Sequence, residues 1–117
     1  MAYLLLVVEP INQRSERPDD EGRARYEEMA NFAEGLKQRG VLLACESLKS
    51  INAGARVEVR NGERRLLDGP FAEAKEMVGG FLLVNCDTRE EAVAIATACP
   101  AARWCSIEVR EIGPCYQ

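Results

Sequence analysis

Six successive apolar residues, Tyr3 to Val8, constrain the fold of this chain more than any other stretch. The run has the length and the β-forming residue types of one strand. Side chains alternate between the faces of a strand, so Tyr3, Leu5 and Val7 point opposite to Leu4, Leu6 and Val8, and both faces are greasy. Phe81-Leu82-Leu83-Val84 repeats the pattern. Strands of this kind belong in a sheet covered on both sides. The rest of the sequence predicts two helices, enough for one face, so the second needs a cover from elsewhere.

Those two helices are legible from their spacing. Tyr26, Met29, Phe32, Ala33 and Leu36 share one helical face in a segment starting near Asp19. Asp19, Asp20 and Glu21 enrich its start in negative charge, Lys37 and Arg39 its end in positive charge, and Gly40 can stop it. Ala92, Ile95, Ala96 and Cys99 form the second stripe, capped by Asp87 or Thr88 with Glu90 or Glu91, and ended by Pro100. Between them, Val41–Leu48 reads as a strand and Arg56–Arg60 as a half-exposed one. Asn61-Gly62 is a two-residue hairpin turn into a short strand at Arg64–Leu67. Ile107–Arg110 closes as a last alternating strand. Glu9–Arg17, bracketed by Pro10 and Pro18, is expected as a loop, and Ala72–Glu76 as a brief helical or irregular stretch. Gly79-Gly80 precedes a strand and not a helix, so it predicts a bend or bulge and not a phosphate loop. The order is β-α-β, a hairpin, then β-α-β: one α+β domain over residues 1–117, with two helices on one face of a mixed or antiparallel sheet.

Composition excludes several functions. The 117 residues include no histidine, which removes Ser-His-Asp and Cys-His catalysis, imidazole zinc ligation and a His-ligated haem. Fifteen basic against nineteen acidic residues give a net charge of −4, which argues against a nucleic-acid partner. No stretch is apolar enough to span a bilayer. The five cysteines carry no C-x-x-C spacing and are expected to be reduced, unpaired thiols of a cytoplasmic protein. Neither a metal nor a cofactor is expected.

Asp68-Gly69-Pro70-Phe71-Ala72-Glu73-Ala74-Lys75-Glu76, followed by Gly79-Gly80-Phe81, strongly resembles the DGPF-domain branch of the YCII-related family. The likeness extends to Asn31–Leu48, to Cys99-Pro100-Ala101-Ala102 and to Ile107-Glu108-Val109-Arg110. The resemblance implies a ferredoxin-like fold that pairs sheet to sheet as a dimeric α+β barrel, which matches the need for a second cover. Fold relatives include small monooxygenases, lactone isomerases and haem-dependent enzymes, with ligands held between sheet and helices; the fold alone does not transfer a reaction. Genes of the DGPF branch often accompany alternative sigma factors. The YCII branch carries a proposed catalytic pair, a His on the first helix and an Asp before the proline that ends the second. Here those positions are Met29 and Cys99. Neither can serve as an imidazole–carboxylate pair.

Two classes of function stay open: a small-molecule binder or carboxylate-based enzyme using the cleft of a homodimer, and a regulatory module associated with a sigma factor. The expected cleft lies between the sheet and the first helix, near the Asp68–Phe71 turn. Met29, Phe32 and Phe71 are its expected apolar walls, and Asp68, with Glu46 and Lys75, its polar handles. Asp68 is the candidate base, its structural alternative being a cap on the short segment after Pro70. Phe71 is expected as a core anchor, Glu46 either at a rim or with a raised pKa, and Trp104 with Tyr116 at the dimer interface.

Overall fold

Tyr3 to Val8 form the middle of β1 (Ala2–Pro10), a central strand of a four-stranded antiparallel sheet. The computed structural model describes residues 1–116. After β1 come a single helical turn, α1 (Gln13–Glu16), the long α2 (Asp19–Gln38) and β2 (Leu42–Ser47). A 3₁₀ turn at Ile51–Ala53 leads into the hairpin β3 (Ala55–Arg60) and β4 (Glu63–Asp68). β5 (Glu76–Asn85), α3 (Arg89–Ala98), a second 3₁₀ turn at Pro100–Arg103 and β6 (Ser106–Glu111) complete the chain. The sheet order is β2-β5-β1-β6, the ferredoxin-like α+β arrangement.

Both long helices lie on one face. Leu36 of α2 and Ala92, Ile95 and Ala96 of α3 bury against Tyr3, Leu5, Val7, Leu82 and Val84. α3 starts as its sequence requires: the Thr88 hydroxyl accepts from the Glu91 N–H at 3.1 Å, and the Glu91 carboxylate accepts from the Asp87 N–H at 2.9 Å. On the other face Leu4 lies opposite Leu83, and Leu6 opposite Phe81. These four are half-buried by their strand neighbours and have no helix over them.

Three expectations are corrected. Glu9 to Arg17 is not one loop. β1 runs through Pro10, because Glu9 and Pro10 still pair with Met77 and Glu76, and Gln13–Glu16 then wind one turn. Ala72–Glu76 takes the irregular of its two expected forms, but Glu76 already begins β5, which is much longer than the expected Phe81–Val84 strand. Gly79 makes that extension work. The β1–β5 register slips between Val7 and Val8, leaving Gly79 as the extra residue of a bulge inside the strand. Lastly, the hairpin does not join the main sheet. β3 and β4 form a two-stranded ribbon of their own, with every residue exposed. Its turn uses Asn61 and Gly62, both at positive φ, as the sequence predicts. The projecting ribbon helps raise the radius of gyration to 16.0 Å, against about 13 Å for a compact chain of this length.

Gly69, at the foot of the ribbon, shows why the Asp68-Gly69-Pro70 turn needs glycine. A Cβ there would lie 1.7 Å from the Ile51 carbonyl oxygen, and the Gly69 N–H donates to the Gly54 carbonyl at 2.8 Å. The turn is a backbone-to-backbone clamp that fastens the ribbon to the Ile51–Ala53 turn.

Candidate functional site

A cavity of about 600 Å³ opens between the helix-covered face of the sheet and the N-terminal half of α2. Its size suits a small organic ligand. Glu9 belongs to its wall, and the strand alternation puts it there. Tyr3, Leu5, Val7 and Glu9 share one face of β1, so the carboxylate follows three core residues inward and ends 6% exposed.

A buried carboxylate needs a partner, and α1 supplies it. Arg14 Nε donates to Glu9 Oε1 at 2.5 Å. The same guanidinium donates to the Leu48 carbonyl at 2.7 Å and the Gly79 carbonyl at 3.2 Å, tying α1 to the end of β2 and to the bulge of β5. A Cβ on Gly79 would lie 2.3 Å from Glu9 Oε2 and 2.8 Å from Arg14 Nη2. The bulge glycine therefore makes room for the ion pair.

Sulfur lines the cavity beside this pair. The Cys105 thiol donates to Gln13 Oε1 at 3.5 Å, and Gln13 Nε2 donates to the Trp104 carbonyl at 2.5 Å. Burial first, then the Glu9 charge, push the Cys105 pKa up to about 11 against the pull of Arg17, Arg25 and Arg14. Burial also raises the Cys45 thiol, helped by Glu46. Both are therefore neutral thiols near pH 7 and not nucleophilic thiolates. All five cysteines are free. Among the described residues no group of three or more Cys, Asp or Glu side chains could hold a metal ion, and no helix is long and apolar enough to cross a membrane.

Met29 and Cys99, the positions of the implied catalytic pair, do meet. Cys99 Sγ lies 3.6 Å from Met29 Sδ, α2 against the end of α3. Cys99 is buried and its thiol raised by that burial, while a thioether cannot carry a proton. A protonated thiol against a thioether supplies no general base.

The remaining candidates scatter. Met29 and Glu46 line the cavity, Glu46 as an exposed residue at its rim. Phe32 lies elsewhere, in a smaller depression of about 290 Å³ with Leu36, Val41 and Ile95. Asp68, Phe71 and Lys75 do not line the cavity, because the ribbon that carries their turn stands off the sheet. Asp68 is exposed and caps nothing, since no helix follows Pro70. Phe71 is no core anchor: its half-buried ring lies under the Arg56 guanidinium, 4.1 Å from the ring centroid. Glu73 pairs with the same arginine at 2.9 Å, its pKa lowered by its own backbone N–H and then by Arg56. Trp104 lies at the cavity beside Arg25, 4.8 Å away, and Arg103, 5.3 Å away, whereas Tyr116 is exposed. Sequence reasoning missed Glu9, Arg14 and Cys105. The alternation Tyr3-Leu5-Val7-Glu9 was the available signal for the first.

Comparisons with known proteins identify the family. An uncharacterized protein of Rhizobium meliloti (strain 1021) is 37% identical over 59 residues, which is 50% of this chain and 48% of that protein. The match thus spans about half the length of the curated relative. The YCII-related domain matches residues 1–115, so nearly every element described above, from β1 to β6, falls inside it, and the chain belongs to the YCII-related family.

Proposed function

We propose that this chain is a homodimer that binds a small organic ligand in the cavity between the sheet and α2. The observation that carries the reading is the cavity itself: apolar surface from Val7, Met29 and Leu82 beside the buried Glu9 carboxylate and its Arg14 partner. Few polar groups in a mostly greasy hollow are what small-ligand sites require. Binding is favoured over acid–base catalysis because the Met29–Cys99 contact has replaced the catalytic pair implied for the YCII branch. Membership of the DGPF branch, on the Asp68–Glu76 nonapeptide, is part of this reading.

The helix-free face of the sheet supports the dimer half of this reading. The helix-free face with Leu4, Leu6, Phe81 and Leu83 is too apolar to stand against water, and a second copy presents the same face. The ribbon, with Val57 paired to Leu66 and both about half exposed, extends the surface available to that copy. Light scattering across micromolar concentrations is expected to give twice the chain mass. A set of small metabolites screened by NMR is expected to shift the amides of Glu9, Arg14, Met29 and Cys105. A monomer mass, or shifts that avoid these residues, would refute the corresponding half of the proposal.

A further inference from the structure

We propose that the ligand of this cavity is a small organic monocarboxylate, held at its charged end by the Arg17 guanidinium and the Lys49 ammonium. The inference rests on the cavity being the binding site and adds the chemical class of what it takes.

The charge balance of the wall leads there. Four cations, Arg14, Arg17, Arg25 and Lys49, face two carboxylates, Glu9 and Glu46. Arg14 is consumed by Glu9, and Arg25 pairs with Glu21 at 2.7 Å while lying over Trp104. Among the described residues Arg17 and Lys49 have no ion pair and no side-chain hydrogen bond. Arg17 is nonetheless half-buried. Its Nε lies 3.1 Å from where a Cβ on Gly22 would sit, so the guanidinium folds back over the first turn of α2 into the cavity, on a surface left bare by glycine. A partly desolvated guanidinium with free donors is an anion receptor lacking its anion.

The protein does not fill that role itself. Arg14, Arg17 and Arg25 all act on the Cys105 thiol, yet burial outweighs them and keeps it protonated. No thiolate uses the positive field at this wall. The two carboxylates limit the charge that can enter, which favours a monoanion over a phosphate dianion. Met29, Tyr26 and Leu48 offer apolar surface for the rest of the molecule. Arg17 presents the planar donor fork that matches a carboxylate, and Lys49, exposed on the same cavity wall, a point charge.

Matched probes test this: benzoate against benzamide, and indole-3-acetate against indole-3-acetamide, titrated by NMR and calorimetry into the full chain. Each acid is expected to bind about tenfold or more tighter than its amide, as a charged hydrogen bond implies. Arg17→Gln and Lys49→Gln are each expected to reduce that preference, the acid losing more affinity than its amide. Arg17→Lys is expected to keep part of it, which separates loss of charge from loss of fold. Arg89→Gln, exposed at the start of α3 and away from the cavity, is expected to change nothing. Acid and amide binding equally, or a preference that survives Arg17→Gln, would overturn the carboxylate assignment while shifts at Glu9 and Met29 still upheld the cavity. No shift at the cavity from any of the four probes would overturn both.

Discussion

Arg14→Met removes a side chain that ties α1 to Glu9 of β1, to the bulge of β5 and to the end of β2. The Glu9 carboxylate it would strand is 8% exposed as a side chain and has no other side-chain partner. Taking one partner from a fully buried ion pair costs about 3–5 kcal/mol. Arg14 itself retains 28% exposure, so water at the cavity mouth can re-solvate part of the stranded charge, which lowers the figure to about 2–3 kcal/mol. The bond to the Leu48 carbonyl lies at the exposed end of β2 and is replaced by water. The bond to the Gly79 carbonyl lies in the buried bulge, and its loss adds about 0.5–1 kcal/mol. Urea unfolding is therefore expected to show a stability loss of about 2–4 kcal/mol with an unchanged m-value. Glu9→Gln keeps an acceptor in place and is expected to cost about 1 kcal/mol. The double variant is expected to cost less than the two added, because an uncharged partner leaves nothing stranded. A loss under about 0.5 kcal/mol for Arg14→Met, or strict additivity, would refute the view that this pair is a coupled, desolvated unit.

Gly69→Ala drives a Cβ into the Ile51 carbonyl and is expected to cost about 1–3 kcal/mol or more, with faster amide exchange at Val57 and Val59 as the ribbon loosens; unchanged exchange would remove the clamp. At alkaline pH the unfolded Cys105 thiol ionises near 9 whereas the native one holds its proton to about 11, so stability is full below pH 9 and falls as pH rises through that window. Cys105→Ala is expected to flatten that fall in pH-dependent urea unfolding, and an unchanged profile would assign it to other groups. Leu83→Lys places a charge in the middle of the helix-free face and is expected to halve the mass seen by light scattering while leaving the far-UV circular dichroism intact; a persistent dimer would place the interface elsewhere.

Local signals located the elements well. The helical spacing from Tyr26 to Leu36 predicts α2, and the Thr88–Glu91 pair predicts the start of α3, because caps and amphipathic stripes are written within one or two turns of chain. The cavity is less legible. Asp68 stands in a distinctive motif, but a motif's prominence does not say what each of its residues touches. The constraint at this turn lies in Gly69, whose missing side chain lets two backbone segments touch, while the Asp68 carboxylate faces solvent.

Local patterns in the chain are enough to place most of its strands and helices, to make both faces of the central strands apolar, and to leave no imidazole for catalysis. They also hold the direction of Glu9, since alternation along a strand is a property of covalent geometry. Where the ribbon goes, and with it the placement of Asp68, Phe71 and Lys75 outside the cavity, depends on tertiary packing. The structure alone joined Glu9 to Arg14 across the turn into α1, Gly79 to that pair across two strands, and Met29 to Cys99 across 70 residues of chain. Contacts of that kind depend on register and on a one-residue bulge. Shifting a strand by a single position carries each side chain to the opposite face, so no local pattern encodes them.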